Sequence, residues 1–171
     1  MVHYCSVSYN EQYLESFKAH SGPVYRIRIS PFLHNALLTC SADWAVKLWD
    51  IGSGEPPTLF QTNTASDAAS DVAWSPQTST RFASVSGDGM VMVWDTASLA
   101  PLIAHCVEDV DAAGTRKPRR LTNVLFANDA PVLVTGDASG NVDVYRMLGL
   151  PLGPPTIDEQ VDALAASLHP A

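Results

Sequence analysis

Residues 19–50 read AHSGPVYRIRISPFLHNALLTCSADWAVKLWD, and the patterning of this stretch decides the architecture. It holds an alternating run, Val24-Tyr25-Arg26-Ile27-Arg28-Ile29, and a second apolar run that ends Leu37-Leu38-Thr39. A tight polar break around Asp43 follows, and then Val46-Lys47-Leu48-Trp49-Asp50. Period-two alternation over four to eight residues, bounded by turn formers, predicts three short antiparallel strands rather than a helix. Gly52-Ser53-Gly54-Glu55-Pro56-Pro57 is dense in turn residues, which makes Thr58-Leu59-Phe60 a fourth, outer strand.

The unit then recurs. Asp71-Val72-Ala73-Trp74-Ser75-Pro76, Arg81-Phe82-Ala83-Ser84-Val85 and Met90-Val91-Met92-Val93-Trp94-Asp95 repeat its three strands. Pro31 and Pro76, Asp43 and Asp88, and Trp49 and Trp94 are all separated by 45 residues. Three landmarks at one offset define a structural repeat of about four strands, the blade of a β-propeller. A more degenerate third unit comprises Leu121 to Phe126, Val132 to Thr135 and Asn141 to Tyr145, with Tyr145 standing 51 residues after Trp94 in the tryptophan position. The extra length falls in Val107 to Arg120, which reads as a polar loop containing Arg116-Lys117-Pro118-Arg119-Arg120. That run is either a basic docking patch or a solvated loop in an acidic chain.

Upstream, Val2-His3-Tyr4-Cys5 and Tyr13-Leu14-Glu15-Ser16-Phe17 look like two strands joined by a turn at Ser8-Tyr9-Asn10-Glu11. In propeller order they are the last two strands of a blade whose beginning lies outside the sequence. Downstream, Pro151, Gly153, Pro154 and Pro155 make a stiff linker. Ile157, Val161, Leu164 and Leu168 then recur at helical spacing behind Asp158, Glu159 and Asp162, acids placed where the helix dipole favours them. A helix of about three turns is marginal alone in water, so it packs on the propeller or is captured by a partner.

The expected fold is therefore all-β: a partial propeller of about three and a half blades of antiparallel four-stranded sheets, with a short C-terminal helix. Residues 1–148 form the propeller fragment: 1–17 the end of one blade, 18–61 and 62–105 full blades, and 120–147 the degenerate one. Residues 149–156 form the linker and 157–169 the amphipathic helix. Such an arc has two open ends, and exposed sheet edges are an aggregation hazard.

Composition narrows the function classes. The chain is 46% hydrophobic and only 16% charged, with 18 acidic against 10 basic side chains and a net charge of −8. Like-charge repulsion disfavours nucleic acid and anionic membranes as partners. No apolar run approaches the roughly 20 residues of a membrane span. Cys5, Cys40 and Cys106 are too few and too far apart for a disulfide framework or a zinc site, which fits reduced thiols in the cytoplasm. His3, His34, His105 and His169 are scattered without ligand spacing, so no metal is expected. Gly87, Gly89, Gly136 and Gly140 read as turn glycines, since none opens a helix after a strand as a phosphate loop does. No cofactor and no small-molecule substrate is implied.

The terminal Trp-Asp of the first unit and its upstream histidine resemble the signature of a WD40 repeat. That resemblance implies a buried structural hydrogen-bond set of His20, Thr39, Asp43 and Trp49 rather than a hydrolase site; no nucleophile elbow is present. The second unit keeps Ser84, Asp88 and Trp94 but has Ala65 where His20 would repeat. The third keeps Thr135, with Ser139 in the aspartate position and Tyr145 in the tryptophan position. Alternation is read as pointing Trp49 inward and Leu48 the other way. Trp44, directly after Asp43, sits in a turn where nothing in the pattern asks for an aromatic, which makes it a candidate protein contact unless it folds over a neighbouring blade.

The specific wording carries a narrower resemblance. CSVSYNEQYLESFKAHSGPVYRIRISPF followed by LLTCSADWAVKLWD is similar to the C-terminal WD repeats of axonemal dynein intermediate chains, with the two-headed inner-arm type (subspecies f) the nearest match. The likeness continues through DVAWSP, FASVSGDGMVMVWD and LVTGDASGNVDVYRM. It implies a non-catalytic subunit that scaffolds a dynein heavy-chain tail in ciliary or flagellar motility. It also implies association with other dynein intermediate and light chains and a place in the cytoplasm, at the cytoskeleton and axoneme. Light-chain binding maps onto no residue of this sequence. The alternative is a WD40 adaptor that recruits other proteins, for ubiquitin ligation or trafficking.

Overall fold

The computed structural model describes residues 1–8, 13–62, 66–151 and 153–168. Strands β1 (Val2–Cys5) and β2 (Tyr13–Phe17) pair antiparallel, with Val2 opposite Phe17. The turn expected between them falls mostly on residues 9–12, outside the described residues. The first full blade orders β3 (Val24–Ile29), β4 (Ala36–Ser41), β5 (Val46–Asp50) and β6 (Thr58–Phe60) from the inside outward. The second repeats it with β7 (Ala69–Trp74), β8 (Arg81–Ser86), β9 (Met90–Asp95) and β10 (Pro101–Cys106). In both blades the second strand is buried along its whole length, because it has a sheet neighbour on each edge and a packed layer on each face.

The stretch expected as a polar loop contains a hairpin instead. β11 (Glu108–Val110) pairs with β12 (Arg116–Pro118), with Asp109 opposite Lys117. Its residues are polar on both faces, so alternation carries no signal there. The hairpin is seated on the second blade: the Val107 N–H donates to the Gly89 carbonyl at 2.8 Å and the Arg119 N–H to the Val107 carbonyl at 2.9 Å. Gly89 has φ +83°, and a Cβ there would stand 2.7 Å from the Val107 oxygen, so both the turn and the close approach require glycine. The third blade follows as β13 (Leu121–Phe126), β14 (Val132–Asp137) and β15 (Val142–Arg146), a sheet of three strands rather than four. Gly136, read as a turn residue, lies inside β14.

Two apolar seams hold the blades together. Leu38, Leu48 and Phe60 of the first blade meet Val72, Trp74, Phe82 and Trp94 of the second. Phe60 stands edge-on to Phe82, ring centroids 4.9 Å apart at 85°, the arrangement that aromatic quadrupoles favour. Val85, Val91 and Val93 of the second blade meet Leu121, Val124 and Leu133 of the third. The innermost strands add a polar clasp. The Asp71 carboxylate, 1% exposed, lies 3.3 Å from Arg26 Nε and 3.6 Å from Arg28 Nη2 of the first blade, and it accepts the Val124 N–H of the third at 3.1 Å. One buried acid thus ties three successive blades, satisfied from both neighbours as a buried charge must be.

The tail leaves β15 and returns beneath the second blade. Arg81 Nη2 donates to the Pro151 carbonyl at 2.7 Å, and Gly153 passes so close to Thr78 that a Cβ would lie 2.9 Å from it. Helix α1 (Ile157–Leu168) starts with a reciprocal cap: the Glu159 N–H donates to Thr156 Oγ1 and the Thr156 N–H to Glu159 Oε2, both at 3.3 Å. Of the two placements open from sequence, the helix takes the one on its own propeller. Leu164 is fully buried at the seam of the first two blades, with Leu33 and Leu168 beside it. Gln160 Oε1 accepts the Ser79 N–H at 2.7 Å, and its Nε2 donates to the Gln77 carbonyl at 3.2 Å. His169 lies outside the described residues. Among the described residues, no helix is long and apolar enough to cross a membrane.

Candidate functional site

His20, on the loop before β3, is brought to the end of β4 and its turn. Its Nδ1 lies 2.9 and 3.0 Å from the two Asp43 carboxylate oxygens and its Nε2 2.7 Å from Thr39 Oγ1. Thr39 Oγ1 in turn accepts the Trp49 indole N–H at 3.0 Å. One direction of donation satisfies the chain throughout: indole to threonine oxygen, threonine hydroxyl to Nε2, Nδ1–H to carboxylate. Asp43 also accepts the Ser21 N–H at 3.0 Å. Burial pushes the His20 imidazole below its ordinary value, against the pull of Asp43. Burial acts to raise the Asp43 carboxyl, but the Ser21 N–H and the His20 ring outweigh it and hold it below the ordinary value.

Hydroxyl, imidazole and carboxylate in this order are the connectivity of a catalytic triad. The surroundings remove that chemistry. Thr39 is 0% exposed, so no substrate reaches its hydroxyl, and the Trp49 indole occupies the oxygen lone pair that would attack. The set joins loop, turn and third strand of one blade.

The other blades carry only pieces of it. In the second, Trp94 donates to Ser84 Oγ at 2.9 Å, while Asp88 is engaged separately by Ser86 and by the Ser66 N–H and hydroxyl, at 3.0 and 2.9 Å. Ala65, in the histidine position, lies outside the described residues. In the third, Thr135 is buried and Tyr145 half-buried, with a phenol where the other blades have an indole. Its turn is held by Asp137, which sequence reasoning passed over for Ser139. Asp137 accepts the Asn141 side-chain amide at 2.8 Å and the backbone N–H groups of Ser139 and Asn141 at 2.9 Å, and these bonds hold its carboxyl at about 2. Arg119 lies 3.3 Å from Asp137, 2.9 Å from Asp143 and 2.9 Å from Asp109. The candidate basic patch therefore spends Arg119 on internal ion pairs, and Arg116 reaches Glu108 at 3.4 Å. The signal for this was the Asp-x-x-x-Asn spacing of residues 137–141, an Asx-type turn.

Trp49 and Leu48 are placed the other way round from the reading by alternation. Leu48 is 1% exposed in the seam with the second blade, whereas Trp49 lies on the side of the β1–β2 pair and is half-buried. Its ring lies 4.6 Å from that of Phe17, centroid to centroid. Alternation separates two faces but does not say which one a given blade covers fully. Trp94, with neighbours on both sides, is 1% exposed.

Trp44 has φ +68°, a left-handed conformation, and is 47% exposed. The corresponding turn residues of the other blades are Gly89 and Gly140, at φ +83° and +89°. A bulky side chain there costs about 1–3 kcal/mol that glycine does not. Its side chain lines a cleft over the seam of the first two blades, with Val46, Phe60, Asp67 and Met92. Trp44 thus borders residues of the neighbouring blade and still leaves about half its surface to solvent.

No group of three or more His, Cys, Asp or Glu able to hold a metal occurs among the described residues. The cysteines are free thiols; burial pushes that of Cys40 up to about 12.

Residues 11–50 and 55–95 each match the family described as WD domain, G-beta repeat. The fold is that of WD40 repeats. A crystal structure of the WD40 domain from Toxoplasma gondii coronin superposes with a TM-score of 0.62 at 17% identity, over 75% of this chain and 32% of that one. The WD40 blades are also homologous to those of axonemal dynein intermediate chains. Identity is 39% to dynein axonemal intermediate chain 4 of Homo sapiens, over 88% of this chain and 17% of the relative. It is 36% to dynein intermediate chain 2, ciliary, of Heliocidaris crassispina, over 85% and 20%. The chain spans about a fifth of the length of these curated relatives.

Proposed function

We propose that this chain acts as a non-catalytic subunit of an axonemal dynein, of the two-headed inner-arm (subspecies f) type. In this reading its WD40 blades scaffold the heavy-chain tail in ciliary or flagellar movement. The observation that carries it is the 39% identity to dynein axonemal intermediate chain 4, extending over 88% of the chain and so across all three blades. The buried hydroxyl of Thr39 supports a non-catalytic role, because this triad-like constellation is closed to substrate. Other intermediate and light chains are partners of the same assembly, and the axoneme is its location. Trp44 is the contact residue within this reading, as an exposed aromatic kept in a conformation that favours glycine.

The test is capture from ciliary extract on the immobilised full chain, followed by mass spectrometry. Dynein heavy chain is the expected prey, and Trp44→Gly, which keeps the turn conformation, should reduce its recovery while leaving the circular dichroism spectrum intact. Recovery of ligase or coat components without heavy chain would replace this reading with that of a general WD40 adaptor.

A further inference from the structure

We propose that the cleft walled by Trp44 and Asp67 receives a lysine side chain of the bound protein. The inference rests on the reading of the chain as a protein-binding subunit and names the chemistry of one contact. Trp44 and Asp67 line the cleft together with Phe60 and Met92, between the first two blades. Asp67 is half-buried on the loop that enters β7. One of its oxygens accepts the Ala68 N–H at 2.7 Å; the carboxylate has no cationic partner among the described residues.

The neighbouring acids are engaged by more groups than this. Asp43 is filled by His20 and Ser21, Asp88 by Ser66 and Ser86, and Asp137 by Asn141 and Arg119. Room for the Asp67 carboxylate comes from Gly87, whose place above the turn it occupies. In the first blade the pair is reversed, with Gly22 packed against Ala42, so an acid at this point is not a requirement of the turn.

The cleft offers about 20 Å³, room for a single water-sized group. An ammonium has that size, and the planar fork of a guanidinium is larger. In a cleft lined by both a carboxylate residue and an indole residue, an ammonium can gain a charge-assisted hydrogen bond and a cation–π contact together. The chain's net charge of −8 draws a basic segment toward this face. Lys47 of the same blade is committed to the Ala19 carbonyl at 2.7 Å.

The experiment follows the indole N–H signals of the full ¹⁵N-labelled chain during titration with Nα-acetyl-lysine amide. The Trp44 signal is identified by its loss in Trp44→Phe. It should shift saturably, the Nε-acetylated compound should act about tenfold more weakly or not at all, and Asp67→Asn should abolish the response. The other indole signals, unmoved in Asp67→Asn, report that this isosteric variant is folded. An equal shift with the acetylated compound, or a response that survives Asp67→Asn, overturns the proposal. So does undiminished capture of heavy chain by Asp67→Asn. If the wild-type chain captures no heavy chain while the lysine response remains, the dynein reading fails and the lysine cleft stands.

Discussion

Trp49 and Trp94 occupy the same position of successive blades, and the structure predicts that they contribute unequally. Trp94 is 1% exposed, its centroid 5.7 Å from Phe60 and 6.1 Å from Phe82, and its N–H is bonded to Ser84. Trp94→Ala removes a whole buried indole and strands the Ser84 hydroxyl, a loss of about 3–5 kcal/mol. Trp49 is half-buried, because β1 and β2 cover only part of the face it lies on. Water already reaches part of its ring, so the transfer and cavity contributions are about halved, and Trp49→Ala should cost about 2 kcal/mol. Urea unfolding of the full chain, followed by circular dichroism, separates the two. With a slope of about 2 kcal/mol per molar urea, the Trp49→Ala midpoint should lie about 1 M above that of Trp94→Ala. Equal midpoints, or a lower one for Trp49→Ala, would show that the first blade's outer face is as dry as the seams and that the placement of Phe17 is wrong.

Two further outcomes follow from the same geometry. Burial depresses the His20 pKa from its ordinary 6.5, so the unfolded chain binds the proton more readily. Stability should therefore be fully present above about pH 6.5 and decline as pH falls from there toward and through the lowered value, so that urea midpoints hold steady from about pH 7.5 down to about 6.5 and drop below it. A His20→Gln chain whose midpoints keep the same slope would assign the effect elsewhere. Leu164→Asp places a charge at a fully buried site and should release α1, at about 2–5 kcal/mol. Hydrogen exchange at the Ser79 amide, bonded to Gln160, should accelerate, and an unchanged rate would refute the cis seat of the helix.

Much of the fold was legible because its signals are local. Period-two runs, turn residues and the offset of 45 residues between Trp49 and Trp94 depend only on neighbours along the chain. The α1 start was equally readable, since its cap closes within three residues at Thr156 and Glu159. The hairpin from Glu108 to Pro118 was missed because its polar residues pair with one another and bury no face that alternation could reveal. Asp137 was missed because the repeat template drew attention to Ser139, while the turn's donors select the carboxylate two residues earlier.

The sequence by itself determined the strands, their grouping into blades, and the residues available to join loop to turn, since each follows from backbone periodicity and short-range hydrogen bonding. Tertiary structure alone decided that Leu48 rather than Trp49 enters the seam, that Asp71 serves three blades, that α1 lies on its own propeller, and that Asp67 shares a cleft with Trp44. Those outcomes depend on which blade faces which. A repeat reads the same from either side; only its packed neighbours make one face dry and leave the other to solvent.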